Sequence, residues 1–498
     1  METHTSTLFF VDDLVYKRKR PLDLGFSDFR TLAARLAGCR DEVRLNRRLS
    51  PDVYLGVADV TGADGRLCDH LVVMRQMPDD RRLAALVAAG EDVDDILRRV
   101  AVQLADLHRS SPAPAQLRDL ARADAVQQLW TDGLDALRAF PDLVSEEVRE
   151  RTRHLALRWL AGRGPLLDAR VDEGRVYDGH GDLLADDIFA LPDGPRILDC
   201  LEFNERLRIC DGIADAAFLA MDLERLGAPA AARTFLHAYE TAANDNPPGS
   251  LEDLYLAYRA HIRSKVSCIR ARQDPQPDVN TRARELAELA LAHLQRGRVR
   301  LVLVGGLPGT GKTTIAEGLA AGAGWVHLSS DVTRKRLAGI DADQHDADSF
   351  RTGLYAPDRT TRTYNAMLTD ARTALTMGES VVMDASLVDR RWREQARSLA
   401  HSAYADLVEL QCTTPPEVSA SRILQRTSTA SDATPSIRRQ LAVDADPWPE
   451  ATIIKTTASI EDTQRSVAAL VGAGPDVHEG QEGHLLQPLR PAWRPGLR

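Results

Sequence analysis

The chain has 498 residues, more than one hydrophobic core of roughly 250–300 residues organises, so at least two domains are expected. A net charge of -10 argues against a broad nucleic-acid footprint, which needs a surplus of Lys and Arg facing phosphates. No run of about 20 apolar residues reaches membrane-spanning length, the start METHTSTLFF carries no secretion signal, and the 6 cysteines lack C-x-x-C spacing; these features predict a cytoplasmic chain with buried, reduced thiols.

In chain order, residues 8–11 and 14–17 flank Asp12-Asp13 and read as a β-hairpin. Alternation puts Lys17 and Lys19 on one face of the second strand and Arg18 and Arg20 on the other, and does not choose between the lysines. A predicted helix over 41–49 carries Glu42. A kinase needs a strand lysine on the nucleotide phosphates, held by a glutamate from the next helix, and Glu42 with either lysine supplies that pair. The strand 71–78 ends like a kinase hinge, whose backbone would take the adenine edge. Further on come VYDGHGDLLADDIF at 176–189 and ILDCLEF at 197–203, two short strands each followed by aspartates.

From about 251 to 295 the pattern is helical and alanine-rich, broken at DPQP over 274–277, and a new domain starts with the apolar run 299–304. That run feeds G-L-P-G-T-G-K-T over 306–313 and a helical stretch from Thr314. Strand, G-x-x-x-x-G-K-T and helix make a phosphate cradle. Gly306, Gly309, Thr310, Gly311 and Thr314 supply backbone, Lys312 bridges terminal phosphates, and Thr313 offers a magnesium ligand. A second strand, 325–330, ends at Asp331, with Arg334 one helical turn on and the basic run Arg334-Lys335-Arg336 following. A third, 380–383, ends at Asp384, placing a carboxylate where ligands gather in open α/β sheets and reading as a Walker-B-like magnesium or substrate residue. A fourth, 407–412, leads through Pro415-Pro416 to Arg422 and Arg426, and residues 453–454 read as the last strand. The Pro-rich tail 475–498 shows no apolar periodicity.

The loop at 176–189 resembles the H-G-D-L-H-x-x-N catalytic loop of aminoglycoside phosphotransferases and choline-type kinases, and 197–203 resembles their later metal site. The resemblance implies that Asp182 accepts the acceptor-hydroxyl proton and Asp199 is a metal ligand, while His180 braces the loop. Asp187 stands where that family has asparagine and Leu184 where it has a second histidine, which keeps a metal site but adds negative charge. The C-terminal half resembles the P-loop small-molecule kinases, the group of gluconate and shikimate kinases and polynucleotide 5'-hydroxyl kinases. That resemblance implies Asp331 as acceptor-hydroxyl ligand or base, Arg334 as an acceptor-side anchor, and Arg426, then Arg422, as lid arginines over the phosphates. An aspartate N-cap and helix-surface arginines are the structural alternatives.

The text over 2–57 and again over 198–223 is similar to the bacterial bifunctional aminoglycoside phosphotransferase and ATP-binding proteins, a match that leaves out only the tail. In that group the kinase half selects Lys17, and Asp215 resembles the aspartate that bonds the catalytic loop; Glu202, Asn204 and Arg208 fit an acceptor pocket or simple packing equally well. The expectation is therefore an α+β protein-kinase-like domain over 1–296, its small lobe ending near 78, followed by an α/β P-loop kinase domain with a parallel sheet over 297–474. Two Mg2+- and ATP-dependent modules would phosphorylate hydroxyls of small molecules. One rival makes the first module a non-catalytic nucleotide sensor. Another makes the second a nucleic-acid 5'-hydroxyl kinase.

Overall fold

A computed structural model describes residues 6–23, 28–274, 276–339, 356–425 and 434–472. Arg426 and the tail 475–498 lie outside the described residues. Two compact units divide the chain, the first from Met1–Leu157, Leu167–Pro247 and Leu251–Gln295, the second from Arg158–Leu166, Pro248–Ser250 and Arg296 onward.

The first unit opens with strands β1 (Ser6–Val11) and β2 (Leu14–Lys19), helix α1 (Leu32–Asn46), and strands β3 (Tyr54–Thr61) and β4 (Leu67–Arg75). They form an antiparallel sheet in the order β1-β2-β4-β3, backed by α1. Asp12-Asp13 makes a two-residue turn, and Asp12 adopts φ +52, a left-handed conformation that aspartate tolerates better than most residues. Thr31 caps α1 by accepting from the Ala34 N–H at 3.2 Å.

A helical lobe follows: α2 (Leu83–Ala88), α3 (Asp94–Ser110), α4 (Ala123–Leu137), α5 (Glu146–Asp172), α6 (Gly212–Arg225), α7 (Pro229–Ala243), α8 (Gly249–Gln273) and α9 (Pro277–Arg296). Between α5 and α6 run β5 (Val176–Asp178), β6 (Ile188–Leu191), β7 (Gly194–Ile197) and β8 (Ile209–Asp211), paired β5 with β8 and β6 with β7. The β6-β7 hairpin fixes the loop ahead of it and the Asp199 segment behind it side by side. This small antiparallel sheet with a larger helical lobe is the protein-kinase-like α+β architecture.

In the second unit β9 (Arg300–Gly305), α10 (Lys312–Ala323), β10 (Val326–Ser329), α11 (Ser330–Ala338), α12 (Pro357–Thr376), β11 (Val381–Asp384), α13 (Arg390–Ser402), β12 (Asp406–Thr413), α14 (Pro416–Leu424), α15 (Pro435–Val443), β13 (Thr452–Lys455) and α16 (Ile460–Val471) alternate. The sheet is wholly parallel, in the order β10-β11-β9-β12-β13. All six residues of β9 are buried, as a central strand with covered faces requires. Leu301 and Leu303 face one apolar cluster and Val302 and Val304 the other, so a strand without polar alternation still serves two faces. Among the described residues no helix is long and apolar enough to cross a membrane.

All 6 cysteines are free thiols, but the expectation that they are buried fails at Cys68, which is exposed on β4 near its start, and at the half-buried Cys210.

Candidate functional site

The phosphate cradle of the second unit is built by backbone conformation. Gly306 and Gly309 adopt φ +142 and +83, and a Cβ there would lie 2.6 Å from the Cys412 carbonyl oxygen and 2.5 Å from that of Ser419. Only glycine fits both the angles and the space. Thr310 Oγ1 donates to the Leu307 carbonyl at 2.8 Å, and Thr456 Oγ1 donates to the Thr310 carbonyl at 2.6 Å, tying the loop to the residue just after β13. Lys312 begins α10 and is 8% exposed, with no hydrogen bond or ion pair to a protein group among the described residues. Buried charges are normally paired, because desolvating an isolated one is expensive.

Parallel register brings Ser329, Asp384 and Val304 level across β10, β11 and β9. The ends of three strands therefore converge on one edge, where α/β sheets bind ligands. A cavity of about 690 Å³ opens there, and Lys312, Asp331 and Arg334 all line it. Arg334 Nη1 lies 2.5 Å from Asp331 Oδ1, one turn away on α11, so the two form a fixed pair. Tyr364 and Trp392 stack face to face at 4.6 Å along another wall. Asp384 is 2% exposed and its Oδ1 has no hydrogen-bond partner among the described residues. An orphaned buried carboxylate oxygen at the end of β11 fits a magnesium ligand.

Arg422, the second lid candidate, is held beside the cradle: its Nη2 donates to the Thr456 carbonyl at 2.7 Å. The run Arg334-Lys335-Arg336 is no continuous basic surface, since Lys335 is 2% exposed, Arg334 pairs with Asp331, and Arg336 pairs with Asp370.

In the first unit Lys17 and Lys19 both reach Glu42, at 2.9 and 2.5 Å. What separates them lies across the cleft. Lys17 donates to Asp199 at 2.7 Å, while Lys19, fully buried, pairs with Glu202. Lys17 is thus the lysine that meets the metal-ligand candidate. Burial opposes its charge, yet the Asp199 and Glu42 carboxylates outweigh burial and raise its pKa well above the ordinary lysine value. Asp199 is held below the usual carboxylate range, chiefly by Lys17. Its backbone sits at φ +62, a strained left-handed setting of the kind that clusters at functional sites.

The catalytic-loop candidate is fastened by Asp215, which accepts from the backbone N–H of His180 at 2.7 Å and of Gly181 at 2.8 Å and bonds His108 at 3.0 Å. Although burial works the other way, these bonds and the nearby histidines depress its pKa. His180 is fully buried and bonds the Leu198 carbonyl at 3.0 Å, a brace between the loop and the Asp199 segment. Asp182 has its pKa raised by burial, with Arg263 opposing from 3.3 Å. Burial, then Asp199 and Asp182, push the Asp187 carboxyl well above the carboxylate range. Lys17 offsets Asp199 and Arg263 faces Asp182, but Asp187 makes no ion pair among the described residues, so with Asp199 it fits a metal as a ligand. Glu202 pairs with Lys19, Arg208 with Asp178, and Asn204 caps the turn at Arg206.

Arg263, Thr456 and the Tyr364–Trp392 wall carry no motif and were not legible from sequence. Each meets its site across a sequence separation of 22 to 146 or within a helix that reads only as helix.

A kinase-like protein of two modules is what these folds and sites define. The family model described as AAA domain matches residues 301–444. The uncharacterized protein Rv2004c of Mycobacterium tuberculosis is 39% identical over 448 residues, 90% of this chain and 90% of its own length. This chain belongs to the same family. Among solved structures, an unliganded sugar kinase from Janibacter aligns with 36% of this chain and 96% of its own at 18% identity and TM-score 0.28. The GDP complex of aminoglycoside 2'-phosphotransferase-IIIa aligns with 59% of this chain and 91% of its own at 17% identity and TM-score 0.36.

Proposed function

We propose that the chain is an Mg-ATP-dependent phosphotransferase in which each module moves the γ-phosphoryl group to a hydroxyl of a small molecule. The observation that carries this reading is the cavity of about 690 Å³ that Lys312, Asp331 and Arg334 line together, a phosphate cradle and an acceptor-side carboxylate on one wall.

In the second module Lys312 neutralises charge on the terminal phosphates and the cradle N–H groups orient them. Asp331 accepts the acceptor-hydroxyl proton as the new O–P bond forms and the bond to the β–γ bridging oxygen breaks, leaving ADP. Arg334 fixes the Asp331 carboxylate and anchors the acceptor. Thr313 and Asp384 would hold magnesium, whose charge offsets that of the phosphates. In the first module Asp182 has the proton-accepting role, Lys17 the phosphate-binding role held by Glu42, and Asp187 and Asp199 the metal-holding role.

A second reading of the first module, a nucleotide sensor without turnover, draws on Leu184, Asp187 and the Lys17–Asp199 pair, which binding must open. A nucleic-acid acceptor for the second module has less support, because its basic run is buried or internally paired.

The test is a phosphorylation screen of the full chain with labelled ATP, magnesium and a library of hydroxyl metabolites, repeated with Lys312→Ala and with Asp182→Ala. Products lost separately in the two variants support two active modules, and loss only with Lys312→Ala supports the sensor. Absence of any labelled acceptor overturns the proposal.

A further inference from the structure

Beside the first-unit catalytic loop is a cavity of about 70 Å³ whose lining is unusually cationic. Arg225 from the end of α6, Arg263 and Arg270 from α8, and Arg282 from α9 line it together with Leu184 of the loop and Asp222. Arg263 and Arg270 are seven residues apart, two turns of one helix face, about 10 Å along the axis.

The acids present do not cancel these charges. Asp222 Oδ1 is occupied by Arg225 Nε at 2.7 Å, and its Oδ2 accepts the Ala185 N–H at 3.0 Å. Asp186 is the other lining carboxylate. Arg263 spans 3.3 and 3.4 Å to the two oxygens of Asp182, a loose contact. The guanidinium groups of Arg270 and Arg282 make no hydrogen bond or ion pair among the described residues. Counting Asp182, which Arg263 contacts, three aspartates stand against four arginines, in a space suited to one compact anion.

We propose that this cavity is the acceptor subsite of the first module and that it binds a phosphate group carried by the acceptor molecule. The inference rests on the phosphotransfer reading of that module. Guanidinium forks match the oxygens of a phosphate in bidentate fashion, and two unpaired ones on the wall of one small cavity favour an anion over a cation. An amine-rich acceptor would meet the unpaired guanidiniums of Arg270 and Arg282 here, so the substrate is a phosphorylated small alcohol and not a polycationic antibiotic. Arg263 links the two functions: it lies on the cavity wall and touches Asp182, so a phosphate held here keeps a hydroxyl of the same molecule near the proton acceptor.

The test is calorimetric titration of the full chain with inorganic phosphate, which also reports on the P-loop. Wild-type chain is expected to show two phosphate sites. The double variant Arg270→Ala/Arg282→Ala, both exposed residues whose truncation leaves the core intact, is expected to weaken one of them by at least tenfold and leave the other unchanged. Arg270→Lys/Arg282→Lys should recover part of the loss. Kanamycin titrated in parallel should give no heat. Two phosphate sites unaltered in the alanine variant, kanamycin binding that needs no arginine change, or citrate binding without phosphate binding would each overturn the subsite. Nucleotide binding by the Lys312→Ala chain is measured separately. If it is absent while the arginine-dependent phosphate site persists, the anion subsite stands and the kinase reading of the module falls; the converse pattern removes the subsite alone.

Discussion

In the second unit Lys312 lies buried in its cradle without a protein counterion among the described residues, whereas in the first unit Lys17 stands between Glu42 and Asp199. The P-loop lysine therefore offers its whole charge to a phosphate. The strand lysine must give up an existing pair, and three neighbouring aspartates resist one another at the same place. Among the described residues no glycine-rich hairpin precedes the lysine strand; its turn is Asp12-Asp13. On the proposed reading, this difference makes the P-loop the stronger phosphate binder and leaves the first unit's site the more dependent on a metal.

The largest expected effect breaks the comparison on its stronger side. Lys312→Ala should lower turnover of the second module by roughly 100-fold or more, the scale of losing one transition-state charge donor, while the thermal transition stays near that of the wild type because the lysine packs no core. Retained turnover in an ATP-consumption assay would refute the cradle's role.

On the weaker side, Asp199→Ala in the Lys312→Ala background should weaken the remaining Mg-ATP binding by roughly tenfold or more, about 1.4 kcal/mol. Calorimetry that finds nucleotide affinity unchanged counts against a kinase-like site in the first unit.

A smaller effect concerns the support beneath that site. Asp215→Asn removes the charged acceptor of two backbone N–H groups and should destabilise the first unit by about 1–3 kcal/mol at neutral pH. The folded-state pKa of Asp215 is depressed, so its stabilisation is present above the ordinary carboxylate value near ~4 and is lost as pH falls through the depressed value. The wild-type advantage in urea midpoint should therefore shrink on acidification. An advantage that grows at low pH would contradict the sign.

The smallest effect sharpens the contrast. Asp187→Asn removes the negative charge that a bound metal would hold on this carboxyl beside the phosphates and should raise first-module turnover by roughly fivefold, on the order of 1 kcal/mol. No change with nucleotide still bound would favour the sensor, and a fall would show that this site uses the aspartate as its metal ligand of choice.

What the sequence by itself determined is the chemistry written in contiguous residues. The cradle over 306–314 is legible because consecutive backbone groups form it, and the glycine angles follow from the residue type. The hairpin, Glu42, the loop at 180–187 and Asp199 are legible as pieces for the same reason. Tertiary structure decided what lies between distant segments. Period-two alternation leaves Lys17 and Lys19 equivalent, and only the cleft, which sets Asp199 against one and Glu202 against the other, separates them. The basic run 334–336 looks like a patch in sequence, yet helical rotation sends Arg334 to Asp331, Arg336 to Asp370 and Lys335 into the interior. Arg263 and its neighbouring arginines lie on helices whose pattern encodes only burial, and no local rule tells which exposed face of a helix will meet a catalytic loop 81 residues away.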